Sequence, residues 1–351
     1  MALVVQKYGG TSVGTVERIQ NVARRCLETQ QAGHDVVVIV SAMSGETNRL
    51  LDLAHRTAPI PSAREMDALA ATGEQATAAL LSMAILGLGG SARSLLGHQV
   101  RVRTDSAFTK ARIRAVEGER IAETIKAGQI AVIAGFQGVD DDGNITTLGR
   151  GGSDTSAVAI AAAIRADVCE IYTDVDGVYT TDPNICPEAR KIEKISYEEM
   201  LELASLGAKV LQIRSVEIAM KYDVPVHVRT SFSDAPGTWV VREDSDLEQV
   251  VVAGIAYDKN DARVHLVGVA DRPGVVAELF TAISEQNISV DMIIQSVTLE
   301  AGANVTFTIA KTDLARAKGF IEGVATRLGA SQVRYDEDLS LIHISEPTRP
   351  Y

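Results

Sequence analysis

Short apolar runs and amphipathic helical segments alternate through the first two thirds of the chain. The apolar runs predict strands at 2–7, 36–40, 99–103, 130–135, 168–175 and 225–228. Between them, helical periodicity predicts helices at 16–31, 64–88, 117–126, 156–166, 197–206 and 210–222. Strands that alternate with helices are typical of a mostly parallel sheet sandwiched by helices. The pattern therefore predicts an α/β domain over residues 1–241.

The pattern changes after an acidic, polar run at 242–246. From residue 263 the predicted order is strand, helix, strand, strand, helix, strand, at 263–270, 275–286, 289–297, 304–310, 314–328 and 331–335. This βαββαβ order is typical of a ferredoxin-like unit. We therefore predict a linker at 242–262, which includes one further strand at 250–257, and a second domain at 263–338.

Composition narrows the possible partners. The 351 residues include 34 basic and 46 acidic side chains, and the net charge of −12 disfavours binding to nucleic acid or to an anionic membrane surface. Cys26, Cys169 and Cys186 have neither paired nor metal-like spacing, which favours reduced thiols. The sequence shows no signal peptide and no segment that we expect to span a bilayer. We therefore expect a soluble, cytoplasmic protein.

A glycine-rich turn before the helix at 156–166 is the strongest candidate site. Three glycines flank Arg150, at 149, 151 and 152, and Ser153, Asp154 and Thr155 follow. Glycines allow a ligand to approach the backbone, helix N-termini attract anions, and a guanidinium can bind a carboxylate or phosphate through paired hydrogen bonds. An ordinary capped connection between a strand and a helix is the alternative interpretation.

Other polar segments follow predicted strands of the same sheet. Lys7 precedes Gly9 and Gly10, a geometry that suits a phosphate, although a solvated lysine beside a tight turn is an equal alternative. Residues 41–48 follow the second strand, and residues 173–182 follow a later one. Glu74 could bind an amine or could be an unremarkable surface glutamate. The acidic run at 140–144 lacks the spaced ligands of a calcium site, so we predict a hairpin turn there and no protein metal centre.

Taken together, these motifs resemble the aspartate kinases, which combine an amino-acid kinase domain with ACT regulatory modules. The resemblance covers residues 1 to about 338, and its motifs are KYGGTSV (7–13), SAMSGETN (41–48), ATGE (71–74), TTLGRGGSDTS (146–156), YTDVDGVYTTDP (172–183) and GAKVL (207–211). The ACT module is represented by DRPGVVAELF (271–280) and ISVDMIIQSV (288–297). The resemblance implies transfer of a phosphoryl group from ATP to the side chain of L-aspartate, the entry to lysine, threonine and methionine synthesis.

The resemblance also implies a role for each motif residue. Lys7 would stabilise the transferring phosphoryl group, and Asp154 would hold Lys7 and Lys209 in place. Residues expected to bind aspartate are Arg150 at a carboxylate, Glu74 at the ammonium, and the hydroxyls of Ser41, Thr47 and Ser153. Residues expected to bind the nucleotide are Lys7, Gly9, Gly10, Thr173, Asp174, Tyr179, Asp182 and Lys209. Mg²⁺ would bridge ATP oxygens rather than occupy a cage of protein ligands.

The ACT module implies feedback by an amino-acid end product, lysine, threonine or both, and a homo-oligomer joined through ACT units. Positions expected to bind the effector are Asp271, Gly274, Val275, Ser289, Asp291 and Gln295. Two other activities stay open: a sister kinase that acts on glutamate or an acetylated glutamate, and an amino-acid sensor without catalysis.

One departure from the family concerns the end of the chain. The family continues with a second ACT repeat after residue 335, whereas this chain continues into LIHISEPTRPY at 341–351. That segment contains two prolines, has no amphipathic period and resembles translated sequencing-adaptor DNA. We therefore expect residues 339–351 to be a non-native tail, and the strand at 250–257 to lack a partner.

Overall fold

The computed structural model describes residues 1–205, 208, 210–243, 254–258, 260–270, 272–286, 288–298, 302–337 and 341–345. The chain divides into two compact units, the first made of Met1–Ile255 together with Ile344–Tyr351 and the second of Ala256–His343. The division falls inside the segment predicted as a linker, 242–262.

The first unit contains both helices and strands throughout its length. Its helices are α1 Val16–Gln31, α2 Glu46–Thr57, α3 Ala63–Ala70, α4 Thr72–Gly87, α5 Glu119–Lys126, α6 Gly152–Ile164, α7 Tyr197–Ser205 and α8 Ile213–Tyr222. Its strands are β1 Leu3–Tyr8, β2 Asp35–Val40, β3 Ala92–Leu95, β4 Val102–Thr104, β5 Ile113–Val116, β6 Ile130–Ala134, β7 Gln137–Val139, β8 Ile145–Thr147, β9 Val168–Thr173, β10 Val178–Tyr179, β11 Lys191–Ile192, β12 Lys194–Ser196, β13 Val226–Thr230 and β14 Thr238–Val241.

Eight of these strands form the central sheet, in the order β12, β14, β13, β9, β1, β2, β6, β3. Every neighbouring pair is parallel except β13 with β14. The predicted α/β class with a mostly parallel sheet is therefore confirmed. In the register, Tyr8 lies opposite Val40 and Tyr172, and Val40 lies opposite Ala134. Because these strands end level with one another, the polar segments that follow them meet at one edge of the sheet.

Helices cover both faces of this sheet. On one face, α1 and α4 pack with β2 and β6 around a core that includes Ile19, Val38 and Leu81. On the other face, α6 packs against β1, β2 and β9. The buried α6 side chains, including Val158 and Ile160, hold the preceding glycine turn at the carboxyl edge of the sheet.

The helical stretch Ala63–Gly87 corrects one expectation from the sequence. It is long and apolar enough to cross a membrane by length and composition, and half of its most apolar part is buried inside the protein. Core helices of soluble proteins can have the same length and apolar composition. Because the stretch also buries Asp67 and Glu74 against the rest of the unit, we interpret it as a core helix.

Several elements of the first unit were misplaced or missed by the sequence pattern, among them the helix α2 and most of the short strands. The strand predicted at 99–103 is mostly a turn, with Arg101 at a φ of 48°, and the strand β4 begins only at Val102. The apolar residues that suggested a strand, Val100 and Val102, are both buried. The pattern also missed β3, because its two central positions are polar and exposed at the edge of the sheet.

The remaining described elements are β15 Gly254–Asp258, β16 Asp261–Val269, α9 Val275–Glu285, β17 Val290–Thr298, β18 Gly302–Ala310, α10 Lys311–Arg327, β19 Gln332–Asp336 and β20 Leu341–Ser345. From β16 to β19 they follow the predicted βαββαβ order. An antiparallel sheet in the order β17, β18, β16, β19 packs on both helices around Leu266, Leu279 and Phe307. The ferredoxin-like prediction is confirmed.

The expectation that the additional strand has no partner is wrong. β15 pairs with β20 in a two-stranded sheet. The segment LIHIS is rich in β-branched and apolar residues, which favour an extended strand. The prolines that argued against structure in this region, Pro347 and Pro350, follow the end of β20 in the sequence.

Candidate functional site

A cavity of about 660 Å³ lies at the carboxyl edge of the central sheet. It is lined by the loops that follow β1, β2, β8 and β9 and by the start of α4. The structure brings ten of the residues predicted from sequence to its wall, which are Lys7, Gly9, Gly10, Ser41, Thr47, Glu74, Arg150, Ser153, Asp154 and Thr173.

An ion pair stands between the two glycine turns. The Lys7 Nζ atom lies 2.6 Å from Asp154 Oδ1, and the two side chains are only 10% and 13% exposed. Lys7 is fixed by the hydrogen bonds of β1, and Asp154 belongs to the first turn of α6. Pairing at this burial offsets the desolvation of both charges and holds the ammonium in one position.

Close packing explains the first glycine turn. A Cβ atom at Gly10 would lie 2.9 Å from the carbonyl oxygen of Ala42, so no larger residue fits without a shift of the backbone. The Gly9 N–H donates to the carbonyl of Tyr172 at 3.1 Å. Gly9, which was expected to bind the nucleotide, therefore has no N–H group available for a phosphate. The Gly10 N–H is used by none of the described hydrogen bonds.

The second glycine turn requires left-handed backbone. Gly149 and Gly151 have φ values of 77° and 67°, a region that favours glycine. A Cβ at Gly151 would lie 2.6 Å from the Cγ atom of Gln212, whose Nε2 donates to the Arg150 carbonyl at 2.8 Å. Gly151 itself is the N-cap of α6, and no side chain caps this helix. The Arg150 side chain is exposed to the cavity, and in the described part of the chain its guanidinium pairs with no carboxylate.

Glu74 is a buried carboxylate with one free oxygen. It is 3% exposed, and its Oε1 accepts a hydrogen bond from the Ala42 N–H at 3.0 Å. Its Oε2 is buried and has no hydrogen-bond partner among the described residues. Burial raises the pKa of Glu74 to about 7, although the hydrogen bond from Ala42 opposes the shift. An ammonium group in the cavity would supply the missing partner and the compensating charge.

Asp67 is a cavity residue that the sequence analysis missed. It is 1% exposed and accepts hydrogen bonds from the Thr147 N–H, the Thr147 hydroxyl and the Thr109 N–H. Burial raises its pKa, and these hydrogen bonds oppose the shift. One sequence signal could have found it. Asp67 precedes Glu74 by seven residues, a spacing that places both carboxylates on one helical face.

The sheet supports Lys7 from its opposite face through a polar network that sequence reasoning also missed. The rings of Tyr8 and Tyr172 stack with centroids 4.7 Å apart. The Glu170 carboxylate accepts from Tyr172 Oη at 3.0 Å and from Arg229 at 3.1 Å. The network joins β1, β9 and β13, so it fixes the two strands whose ends carry Lys7 and Thr173.

The predicted nucleotide residues are only partly brought together. Thr173 lines the cavity and donates its hydroxyl hydrogen to Asp174 at 3.1 Å. Asp174, Tyr179 and Asp182 do not line the cavity. The Tyr179 hydroxyl donates to Asp176 at 2.9 Å, and Asp182 accepts from the Asn184 N–H in its own turn at 2.9 Å. Lys209 lies outside the described residues.

In the second unit, the predicted effector residues lie at two places. Gly274, with a φ of 90°, is the N-cap of α9, and Val275 begins that helix with a buried side chain. Ser289 precedes β17, and Gln295 is exposed within it. Asp271 and the side chain of Asp291 lie outside the described residues.

Comparison with known proteins adds the family context. Residues 2–230 match the model of the amino acid kinase family, and residues 266–322 match the ACT domain. An aspartokinase of Pseudomonas aeruginosa is 52% identical over 346 residues, which are 98% of this chain and 84% of that protein.

Two solved structures extend the comparison to the fold. E. coli aspartokinase III in complex with aspartate and ADP (R-state) matches with a TM-score of 0.83 at 26% identity, over 97% of this chain and 86% of that one. The same enzyme in complex with lysine and aspartate (T-state) matches with a TM-score of 0.75. Aspartate kinase from Synechocystis matches with a TM-score of 0.63 at 45% identity, and the match covers 98% of this chain and 60% of that one.

Proposed function

The chain belongs to the aspartokinases, ATP-dependent kinases of the amino acid kinase family, and we propose that it transfers the γ-phosphoryl group of ATP to L-aspartate. The product is 4-phospho-L-aspartate. The observation that carries this proposal is one cavity that combines a buried Lys7 ammonium with an Arg150 guanidinium and a buried Glu74 carboxylate oxygen, neither of which has a partner among the described residues.

The acceptor is held through both of its charged ends. Arg150 binds a carboxylate of aspartate with paired hydrogen bonds, and the free Oε2 of Glu74 accepts from its ammonium. The hydroxyls of Ser41, Thr47 and Ser153 contribute further hydrogen bonds from the cavity wall. A hydrophobic or neutral acceptor would leave the buried Glu74 carboxylate without a partner, which disfavours its binding.

Phosphoryl transfer relies on position and charge rather than on a general base. An aspartate carboxylate has an ordinary pKa of about 4 and is ionised at neutral pH, so it attacks without losing a proton. The Lys7 ammonium, the Gly10 N–H and the N-terminus of α6 lie where negative charge develops on the transferred group. Asp154 keeps Lys7 in place and does not contact the phosphoryl group.

The nucleotide side is proposed from the same edge of the sheet. Gly9 and Gly10 allow the phosphates to approach the backbone closely, and Thr173 lies at the adjoining strand end. We assign Asp174, Tyr179, Asp182 and Lys209 to the nucleotide by their motifs. Mg²⁺ would be carried on the ATP phosphates, because this ion usually binds through substrate phosphates and water rather than through a cage of protein ligands.

We further propose feedback regulation through the ACT domain. Lysine is bound in the T-state structure of E. coli aspartokinase III, and on that basis lysine, threonine or both are the effectors expected here. Their site would include Asp271, Gly274, Val275, Ser289, Asp291 and Gln295, in a homo-oligomer joined by ACT units. The enzyme would act in lysine, threonine and methionine synthesis. A cytoplasmic location agrees with its three free cysteines.

An acceptor assay tests the activity directly. The protein is incubated with ATP, Mg²⁺ and hydroxylamine, and both ADP and the trapped acyl phosphate are measured for aspartate, glutamate and N-acetylglutamate. Aspartate should be the preferred acceptor, with added lysine or threonine lowering the rate. A preference for another acceptor would identify a sister kinase, and ADP release from none of them would leave only a sensor.

Variants test whether the measured release of ADP and acyl phosphate depends on the cavity residues. Asp154→Asn should lower turnover strongly while the protein remains folded, because Lys7 loses the anion that positions it. Lys126→Ala, which removes an exposed lysine at the end of α5, serves as the matched control and should leave turnover unchanged.

A further inference from the structure

We propose that Asp67 is a positioning residue that sets the separation between Glu74 and Arg150, and therefore the length of the amino acid that fits between them. The inference rests on the proposed function, because it concerns how the two charged ends of aspartate are held. Asp67 itself touches neither end of the acceptor in this scheme. It acts through the two segments that its carboxylate joins.

On the first side, Asp67 in α3 and Glu74 in α4 are joined by continuous helical hydrogen bonding. The helical stretch Ala63–Gly87 carries both residues. The Ala71 N–H donates to the Asp67 carbonyl at 3.0 Å, and the Gln75 N–H donates to the Ala71 carbonyl at 3.3 Å, so helical hydrogen bonding continues between them. Any displacement of Asp67 therefore moves Glu74 as well.

On the second side, Asp67 binds the segments that enter and support the Arg150 turn. Its Oδ2 accepts from the Thr147 N–H at 2.8 Å, and its Oδ1 accepts from the Thr147 hydroxyl at 2.6 Å. Thr147 ends β8, three residues before Arg150. The Thr109 N–H donates to Oδ2 at 2.9 Å, and the Thr109 carbonyl lies 3.1 Å from the position of a Cβ on Gly149. One carboxylate thus fixes both backbone segments beside the turn.

The opposite side of the turn is fixed by a cation. The Arg214 guanidinium donates to the Leu148 carbonyl at 2.7 Å and to the Ala111 carbonyl at 2.9 Å. Asp67 therefore binds N–H groups of the two segments around Thr109 and Thr147, while Arg214 binds carbonyls of the same segments. With Arg214 in place, the two segments stay together without Asp67, and what is lost is their fixed distance from the helix that carries Glu74.

The test separates positioning from folding. Steady-state kinetics are measured with Asp67→Ala, Asp67→Asn and Thr147→Val. Asp67→Ala should raise KM for aspartate by about tenfold or more, since small misplacements of binding groups are costly. KM for ATP should change little. Asp67→Asn should restore most of the affinity, because its amide oxygen can still accept from both backbone N–H groups and its NH₂ can donate to the Thr147 hydroxyl. Thr147→Val, which removes only the hydroxyl, should give a smaller increase.

The matched control is Asp140→Ala in the turn between β7 and β8. Asp140 is also buried, at 5% exposure, and accepts from the Asn144 and Asp142 N–H groups at 2.8 and 3.1 Å, but it does not line the cavity. This variant should lower the melting temperature and leave KM for aspartate unchanged.

The proposal is overturned if Asp67→Ala leaves KM for aspartate unchanged, raises KM for ATP equally, or affects kinetics no more than Asp140→Ala. If Asp67→Ala does not fold, Thr147→Val decides in the same way. Absence of aspartate-dependent ADP release from the unmodified protein would instead refute the proposed function itself.

Discussion

Removing the charge of Glu74 should alter the pH dependence of stability in a defined direction. Burial raises its pKa from an ordinary value of 4.5 to about 7, so the folded state holds a proton that the unfolded state releases. The folded protein is therefore destabilised by this group as the pH rises from 4.5 to 7, and the cost is complete above 7. Each unit of pKa shift corresponds to about 1.4 kcal/mol, so the shift from 4.5 to about 7 lowers the free energy of unfolding by roughly 3 kcal/mol.

The measurement compares unfolding of the unmodified protein and Glu74→Gln in denaturant across pH 4 to 8.5. The difference in unfolding free energy between the two should shift by about 3 kcal/mol across this range, in favour of the variant at high pH. The constant offset caused by the buried amide does not affect the comparison. Glu65→Gln, at an exposed position of α3, controls for the loss of one negative charge.

Binding of aspartate should be favoured at high pH, where the ionised Glu74 destabilises the fold. Since the ionised form of Glu74 binds the ammonium, KM for aspartate should fall as the pH rises through about 7, and this dependence should disappear in Glu74→Gln. Parallel stability curves for the two proteins, together with an unchanged pH dependence of KM in the variant, would refute the reasoning.

Three further variants probe the rest of the site. Lys7→Ala should lower kcat on the order of 10²-fold or more with the fold intact, as stopped-flow or coupled ADP assays and circular dichroism would show; a near-normal rate would remove Lys7 from the mechanism. Arg150→Lys should raise KM for aspartate more than it lowers kcat, because one ammonium cannot replace the paired hydrogen bonds of guanidinium; an unchanged KM for aspartate would contradict this role. Gly151→Ala should lower both stability and activity, because alanine is strained at a φ of 67° and its Cβ would lie 2.6 Å from Gln212 Cγ. Adding Gln212→Ala should relieve the contact but not the backbone strain, and full rescue would mean that the contact alone matters.

Sequence patterns predicted the elements that depend on local periodicity. The helix α1 has the predicted limits, and the βαββαβ order of the second unit follows its pattern of apolar residues. The pattern failed where apolar residues are buried outside a strand and where a strand contains exposed polar residues. Val100 and Val102 are both buried, yet most of their segment is a turn, while β3 forms from a sequence with polar central positions.

Local sequence also identified the glycine turns, since glycine beside a charged residue is informative without any knowledge of the fold. It could not show which groups those turns leave available. The Gly9 N–H is used by the Tyr172 carbonyl, a partner more than 160 residues away in the sequence. Asp67 carries no motif of its own, and its importance comes from Thr147 and Thr109, which reach it only in the folded chain.

The sequence by itself determined the class of fold, the βαββαβ order of the second unit and most of the charged residues that line the cavity, because periodicity and backbone chemistry act over a few neighbouring residues. Tertiary structure alone decided which of these groups are buried, paired or free. The raised pKa of Glu74, the Lys7 and Asp154 pair and the pairing of β15 with β20 all depend on distances between segments far apart in the chain. Electrostatic and hydrogen-bond energies vary with those distances and with exclusion of water, and neither quantity is encoded in a local pattern.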